Sequence, residues 1–195
     1  MKIELKKQQN IYFTADSHYS HLNICKGTSN WPDLNNTRDF DNIENMNQTI
    51  INNINNKIKE DDILYHLGDW SFGPLSNIQY FRSKINCKNI HLILGNHDKQ
   101  IRKNKDNIQS LFLSIQDYME ININNQKIIL MHYPIASWIL KNHGSIMLHG
   151  HCHSKYQGGG KILDVGIDNY YKLFSSYDPF FYEEILKIID KKLVY

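Results

Sequence analysis

Short apolar runs in this chain repeatedly stop at polar motifs, and that arrangement limits the folds open to it. Ile11-Tyr12-Phe13-Thr14-Ala15 runs into Asp16-Ser17-His18, residues 62–67 into Gly68-Asp69, and residues 90–94 into Gly95-Asn96-His97-Asp98. Residues 127–131 end at His132, and residues 146–148 end near Gly150-His151-Cys152-His153. Rich in β-branched and aromatic residues, the runs read as buried strands. Ligands of open α/β and layered sheets sit outside the strand ends, so motifs distant in sequence should converge on one rim.

The intervening segments agree with this layout. Residues 39–58 carry Ile43, Met46, Ile50, Ile54 and Ile58 at spacings of three and four, which predicts an amphipathic helix. Residues 74–85 suit a second helix. Residues 119–123 and 127–131 flank Asn124-Asn125-Gln126 and predict a β-hairpin. Residues 161–165 read as one more strand, and Asp178-Pro179 reads as a helix start with the helix running to about residue 191. Alternating strands and helices followed by a strand-rich second half predict an α/β (α+β) fold: a two-sheet β-sandwich flanked by α-helices. At 195 residues one domain over 1–195 is expected.

Charge and cysteine usage narrow the partners. The net charge is +2 and only Arg38, Arg82 and Arg102 are arginines, so there is no electrostatic case for an extended nucleic-acid surface. Cys25, Cys87 and Cys152 have no CxxC spacing, which fits a reducing compartment rather than a disulfide framework. Residues 1–10 are polar with no apolar leader core, and no run is long enough to span a membrane. A cytoplasmic protein is expected.

Singly, most of the motifs are weak. DxH and Gly-Asp recur in ordinary polar loops, and a lone histidine is more often structural than a ligand. Their chemistry is nevertheless consistent. Asp16 and His18, two apart in a stretch read as extended, can face one way and offer a carboxylate and an imidazole to one metal. Asp69 can bridge two cations, and Asn96 offers a neutral oxygen. His97 is placed for proton transfer, with Asp98 beside it to orient the imidazole and raise its pKa. His132, His151 and His153 supply further nitrogens, while Cys152 is expected to turn into the core. All five motifs in this order are hard to obtain by chance.

With those residues the chain resembles the calcineurin-like metallophosphoesterase superfamily, whose pattern runs DxH, GD, GNH[DE], H and GHxH. The likeness spans residues 12–168 and is closest to small single-domain bacterial and phage members. It implies the metallophosphoesterase fold and two divalent ions, Mn²⁺ first and Fe²⁺, Ni²⁺ or Zn²⁺ as alternatives. One ion would take Asp16, His18 and His153, and the other Asn96, His132 and His151, with Asp69 bridging. The implied reaction is attack by a bridging hydroxide on phosphorus, with His97, steadied by Asp98, protonating the leaving oxygen. The segment Trp70-Ser71-Phe72-Gly73 after the GD motif differs from that of protein serine/threonine phosphatases, which disfavours a phosphoprotein substrate.

A small phosphorylated substrate, a phosphodiester or nucleotide, is the first expectation. A nuclease acting on RNA or DNA is the second, weakened by the near-neutral charge. A non-catalytic scaffold for protein partners is the third; degenerate scaffolds typically lose ligands or the proton donor, and here all eight positions are filled. His21, Arg38, Trp70, Tyr133 and His143 are candidates for substrate contact: Arg38 for a phosphate, the aromatics, with Trp31 and Trp138, for stacking on a base. His149 is a further candidate for the pocket, whereas His66 and His91, inside strands, are expected to be structural. Gly158-Gly159-Gly160 is expected to be a turn.

Overall fold

The computed structural model describes residues 9–156 and 158–194; the polar N-terminal stretch lies outside them as far as residue 8. Strands β1 (Ile11–Thr14), β2 (Ile63–His66), β3 (Asn89–Ile93) and β4 (Ser114–Gln116) pair in parallel, and β9 (Phe180–Phe181) adds antiparallel to β1. A second sheet runs β5 (Tyr118–Ile123), β6 (Gln126–Met131), β7 (Ile146–His149), β8 (Ile162–Asp164), antiparallel in the first pair and parallel after it.

Alternation along the strands explains why the sheets stack. Ile11, Phe13 and Ala15 point one way and pack with Met119, Ile121, Ile128, Leu130 and Leu148 of the other sheet. Tyr12, Leu64, Ile90 and Leu92 point the opposite way, into a core shared with helices α1 (Ile43–Lys57) and α2 (Leu75–Lys84). The buried face of α1 carries Ile43, Met46, Ile50 and Ile54 at the predicted spacing, with Ile51 beside them, and Asn42 caps its start by accepting the Asn45 N–H. Short helices α3 (Lys99–Lys103) and α4 (Lys105–Ile108) follow β3. The fold is therefore two sheets packed together with helices outside.

Three local readings change. The hairpin turn is only Asn124-Asn125, both left-handed (φ 49° and 65°), which is the two-residue turn that asparagine tolerates. Asp178-Pro179 does not start a helix: Phe180 and Phe181 first pair with β1, and α6 (Tyr182–Ile189) begins after them, with the Glu184 carboxylate accepting the Phe181 N–H. An unpaired edge beside a buried strand outweighs a local cap signal. Helix α5 (Ile167–Phe174) and strand β4 had no clear signature, being short and partly polar. Among the described residues no helix is long and apolar enough to cross a membrane.

Candidate metal centre

The strand ends do meet on one rim, stitched by backbone hydrogen bonds. The Asp16 N–H donates to the Gly68 carbonyl (2.9 Å), His18 N–H to Asp69 (3.0 Å) and Gly150 N–H to His132 (3.0 Å). A bridge between Ala15 and Gly166 ties the end of β1 to the segment after β8. Asp16 and His18 are not extended, contrary to the sequence reading. They are left-handed, as are Asp69, His151 and His153 (φ 58°, 49°, 56°, 69° and 45°). Such backbone costs roughly 1–3 kcal/mol per residue and persists only where the surroundings hold it. Here it turns successive loop side chains inward. Glycine makes the crowding possible: a Cβ on Gly150 would sit 2.6 Å from Asp16 Oδ2.

Two groups of metal-type donors result. Asp16, His18 and His153 have ligand atoms within 4.8 Å of one another, and so do Asp69, His132 and His151. Asp69 Oδ2 faces both groups, 3.5 Å from His18 Nε2 and 3.5 Å from His132 Nε2. Asn96 Oδ1 lies 3.1 Å from His132 Nε2. The outer nitrogens are anchored, which aims the inner ones. His132 Nδ1–H donates to the Leu67 carbonyl (2.7 Å), His153 Nδ1 binds Asp168 Oδ2 (2.6 Å), and His18 Nδ1 shares a hydrogen bond with His21 (3.3 Å).

The electrostatics suit cations. Burial pushes Asp16 up to about 7, so its carboxylate is fully ionised at neutral pH only with a positive partner. Burial also opposes ionisation of Asp69, but the bond to His132 outweighs it and holds Asp69 below the usual range. His132 is raised to about 9 because Asp69 and Asp16 outweigh its burial. His18 Nε2, which faces carboxylate oxygens, is buried with no hydrogen-bond partner and is held far below its ordinary value mainly by burial. A neutral imidazole nitrogen with a free lone pair beside carboxylates is what a divalent metal requires.

Asp98 does not orient His97. Its buried carboxylate accepts the backbone N–H groups of Gly95 (2.8 Å), Asp69 (2.8 Å) and Trp70 (2.9 Å), clamping the GD and GNHD loops together. Burial pushes it to about 6 despite those three bonds. His97 stands 41% exposed, its Nε2 4.0 Å from Asp69 Oδ2 and its N–H donating to Asp69 Oδ1 (2.9 Å). Its pKa is lowered, chiefly by burial, not raised. Asp98→Ala strands three buried N–H groups and is expected to destabilise the protein by about 2–4 kcal/mol in urea unfolding; a midpoint equal to wild type would contradict the clamp.

Three substrate candidates are corrected. Trp70 is fully buried, its ring among Tyr19, His66 and Phe112, so it cannot touch a substrate. Arg38 is also buried and its donors are committed, to both Asp168 oxygens (2.8 and 2.9 Å) and to the carbonyls of Asp16 (2.6 Å) and Ser17 (3.0 Å). His143 lies in the turn Lys141–His143, whose neighbour Gly144 accepts from Gln126 at the start of β6. His132 follows the other end of that strand, roughly 20 Å away. His21 and Tyr133 do reach the rim: His21 stacks on Phe72 (3.7 Å), and Tyr133 packs edge-on against His151 (4.7 Å). Cys152 is half-buried rather than a core residue, whereas His66 and His91 bond serines (2.7 and 2.8 Å) inside their strands. Trp138 and His149 are buried.

Sequence reasoning missed Asp168, which joins His153 to Arg38. Its signal was the same as for the other motifs, a polar residue just past a strand and a glycine, in Gly166-Ile167-Asp168.

The chain is similar to several known proteins. A family profile, the calcineurin-like phosphoesterase superfamily domain, matches residues 10–161. An uncharacterised protein of Methanocaldococcus jannaschii is 30% identical over 93% of this chain and 92% of its own length. The gene 66 protein of Mycobacterium phage D29 is 25% identical, covering 84% of this chain and 90% of its own. The crystal structure of a protein of unknown function from Aquifex aeolicus shares the fold, with a TM-score of 0.69 at 23% identity over 93% of this chain and all of that one. From the profile match, which spans more than half of its length, the chain belongs to the calcineurin-like phosphoesterase superfamily.

Proposed function

We propose that this protein hydrolyses a small phosphodiester or nucleotide with two divalent ions held side by side. The observation that carries the reading is the pair of donor groups converging on one carboxylate, Asp69. Asp16, His18 and His153 would hold one ion and Asn96, His132 and His151 the other, with Asp69 shared. Mixed oxygen and nitrogen donors suit Mn²⁺, with Fe²⁺, Ni²⁺ or Zn²⁺ also accommodated. Bound there, the ions would supply an activated water and neutralise charge on the phosphoryl oxygens.

The protein's own groups supply the rest. His97 is the exposed donor over the rim, held by its backbone N–H on Asp69 and by packing on Phe72 (4.7 Å between ring centroids). An anionic phosphoester beside it raises its pKa again and readies it to protonate the leaving oxygen. His21 and Tyr133 flank the approach. The three free cysteines, two of them buried, support a reducing cytoplasmic setting.

The test is hydrolysis of a chromogenic phosphodiester and the matching monoester by protein stripped of metal and reloaded with Mn²⁺. Turnover should need the metal. His97→Ala should lower kcat about 10²-fold while Mn²⁺ binding persists. No turnover with any of the four metals, at two bound ions per chain, would sink the reading.

A further inference from the structure

An open cleft of about 790 Å³ adjoins the donor groups and shares His151 and His153 with them. That volume lies in the range of small-molecule sites. Three segments wall it: Trp31 and Asn36 from the first long loop, Lys155 from the loop after β7, and Tyr171 with Lys172 from α5. Asp168, Tyr171 and Lys172 are three and four positions apart, so one face of α5 carries all of them. The helix face that anchors His153 therefore also presents a phenol and an ammonium to the cleft.

These side chains are all exposed. Trp31 is 38% exposed and Tyr171 44% exposed. Trp31 meets His21 edge-on (5.8 Å), and Tyr171 stacks on Tyr177 (4.5 Å, 14°). The Lys155 ammonium donates to Asn36 Oδ1 and that of Lys172 to the Ser154 carbonyl (3.4 Å). Neither has a carboxylate partner among the described residues, whereas the acidic residues of the cleft do have cationic ones. Asp39 pairs with Lys26 (2.7 Å), and Asp168 with Arg38 and His153. The uncommitted charge is thus positive, beside exposed aromatic rings, at the edge of a phosphoester-cleaving centre.

We infer that this cleft binds the nucleotide portion of the substrate, with the base on Trp31 and Tyr171 and a second phosphate on Lys155 and Lys172. Aromatic faces stack on any base, and ammonium groups neutralise phosphate as point charges. The scissile ester would then lie at the His151 and His153 edge. This deepens the proposed hydrolase reading and rests on it for the placement of that ester; binding of the nucleotide itself is measurable without it.

ADP titrated into metal-free protein is the first arm. Trp70 and Trp138 are buried, so quenching of tryptophan fluorescence by ADP reports on Trp31. Saturable quenching is expected, and the signal should vanish in Trp31→Phe. The apparent Kd should rise about 10-fold in Tyr171→Ala and in the Lys155→Ala/Lys172→Ala double variant, and inorganic pyrophosphate should compete at least about 10-fold less well than ADP. The second arm uses Mn²⁺-loaded protein on the p-nitrophenyl ester of thymidine monophosphate and on bis(p-nitrophenyl) phosphate. The ratio of kcat/KM for the two should fall about 10-fold in Tyr171→Ala.

No saturable quenching at millimolar ADP, pyrophosphate binding as tightly as ADP, or an unchanged Kd in Tyr171→Ala would overturn the inference. Turnover of the bis-ester without ADP binding would overturn it and leave the hydrolase reading intact. ADP binding as described, without turnover of any ester by protein loaded with Mn²⁺, Fe²⁺, Ni²⁺ or Zn²⁺, would support the cleft and sink the hydrolase.

Discussion

Asp69→Asn is expected to lower kcat/KM on a chromogenic phosphodiester by about 10³-fold or more, or ~4 kcal/mol of transition-state stabilisation. Asp69 Oδ2 faces both donor groups, at 3.5 Å from each of two histidine nitrogens. An amide keeps the shape and can still accept the His97 N–H, so the loop should stay folded. What it loses is the charge and the second anionic oxygen that two cations would share. The substitution should therefore also act on metal binding. Ligands that bind only the native state stabilise it by about 2.7 kcal/mol at a hundred times their Kd. Wild type should show a Mn²⁺-dependent rise in Tm, and Asp69→Asn should lose most of it. A variant within tenfold of wild type in turnover, with an undiminished Tm response, would show that Asp69 does not join the two groups.

Asp168→Ala should cost about 3–5 kcal/mol of stability, the usual consequence of removing one partner of a buried ion pair. Arg38 is nearly inaccessible and has no other carboxylate among its hydrogen-bond partners in the described residues, so its guanidinium is stranded. The same carboxylate holds His153 Nδ1, so metal affinity should fall about 10–100-fold as well. A double variant, Arg38→Met/Asp168→Leu, should recover much of the stability, because no buried charge is left alone, without recovering the affinity. Equal recovery of both would mean that Asp168 acts on the metal centre only through folding.

The pH dependence of that effect has a definite sign. Arg38 and His153 outweigh burial and hold Asp168 far below the ordinary carboxylate value of about 4. A depressed carboxylate contributes stability that is present above its unfolded value and is lost as pH falls below it. The difference in stability between wild type and Asp168→Ala should therefore close progressively below about pH 4, and should narrow again above about pH 6.5, where the His153 imidazolium that Asp168 favours gives up its proton. Asp16, raised to about 7, and Asp98, raised to about 6, act in the opposite sense. Each destabilises the metal-free chain increasingly as pH rises from about 4 toward its folded value. Comparing the variant with wild type removes the Asp98 contribution, since both proteins carry it, whereas that of Asp16 also follows the charge on His153.

Much of the architecture was legible because it rests on local patterns. The period of α1, the hairpin at Asn124-Asn125 and the apolar runs ending in GD, GNHD and GHCH each specify a local conformation or a terminus. Residue types that bind metals are few, and their order along the chain identified the family. Sequence by itself thus determined the two-sheet layout and the donors that meet at its rim. The tertiary structure decided what surrounds them. Trp70 follows Asp69 yet turns inward, Asp98 sits beside His97 yet binds three backbone N–H groups, and Arg38 meets an aspartate 130 positions away. The left-handed turns at Asp16, His18 and Asp69 also came only with the fold. A periodic pattern is written in neighbouring residues. A buried charge finds its partner, and a strained backbone its support, only when packing closes the space around it.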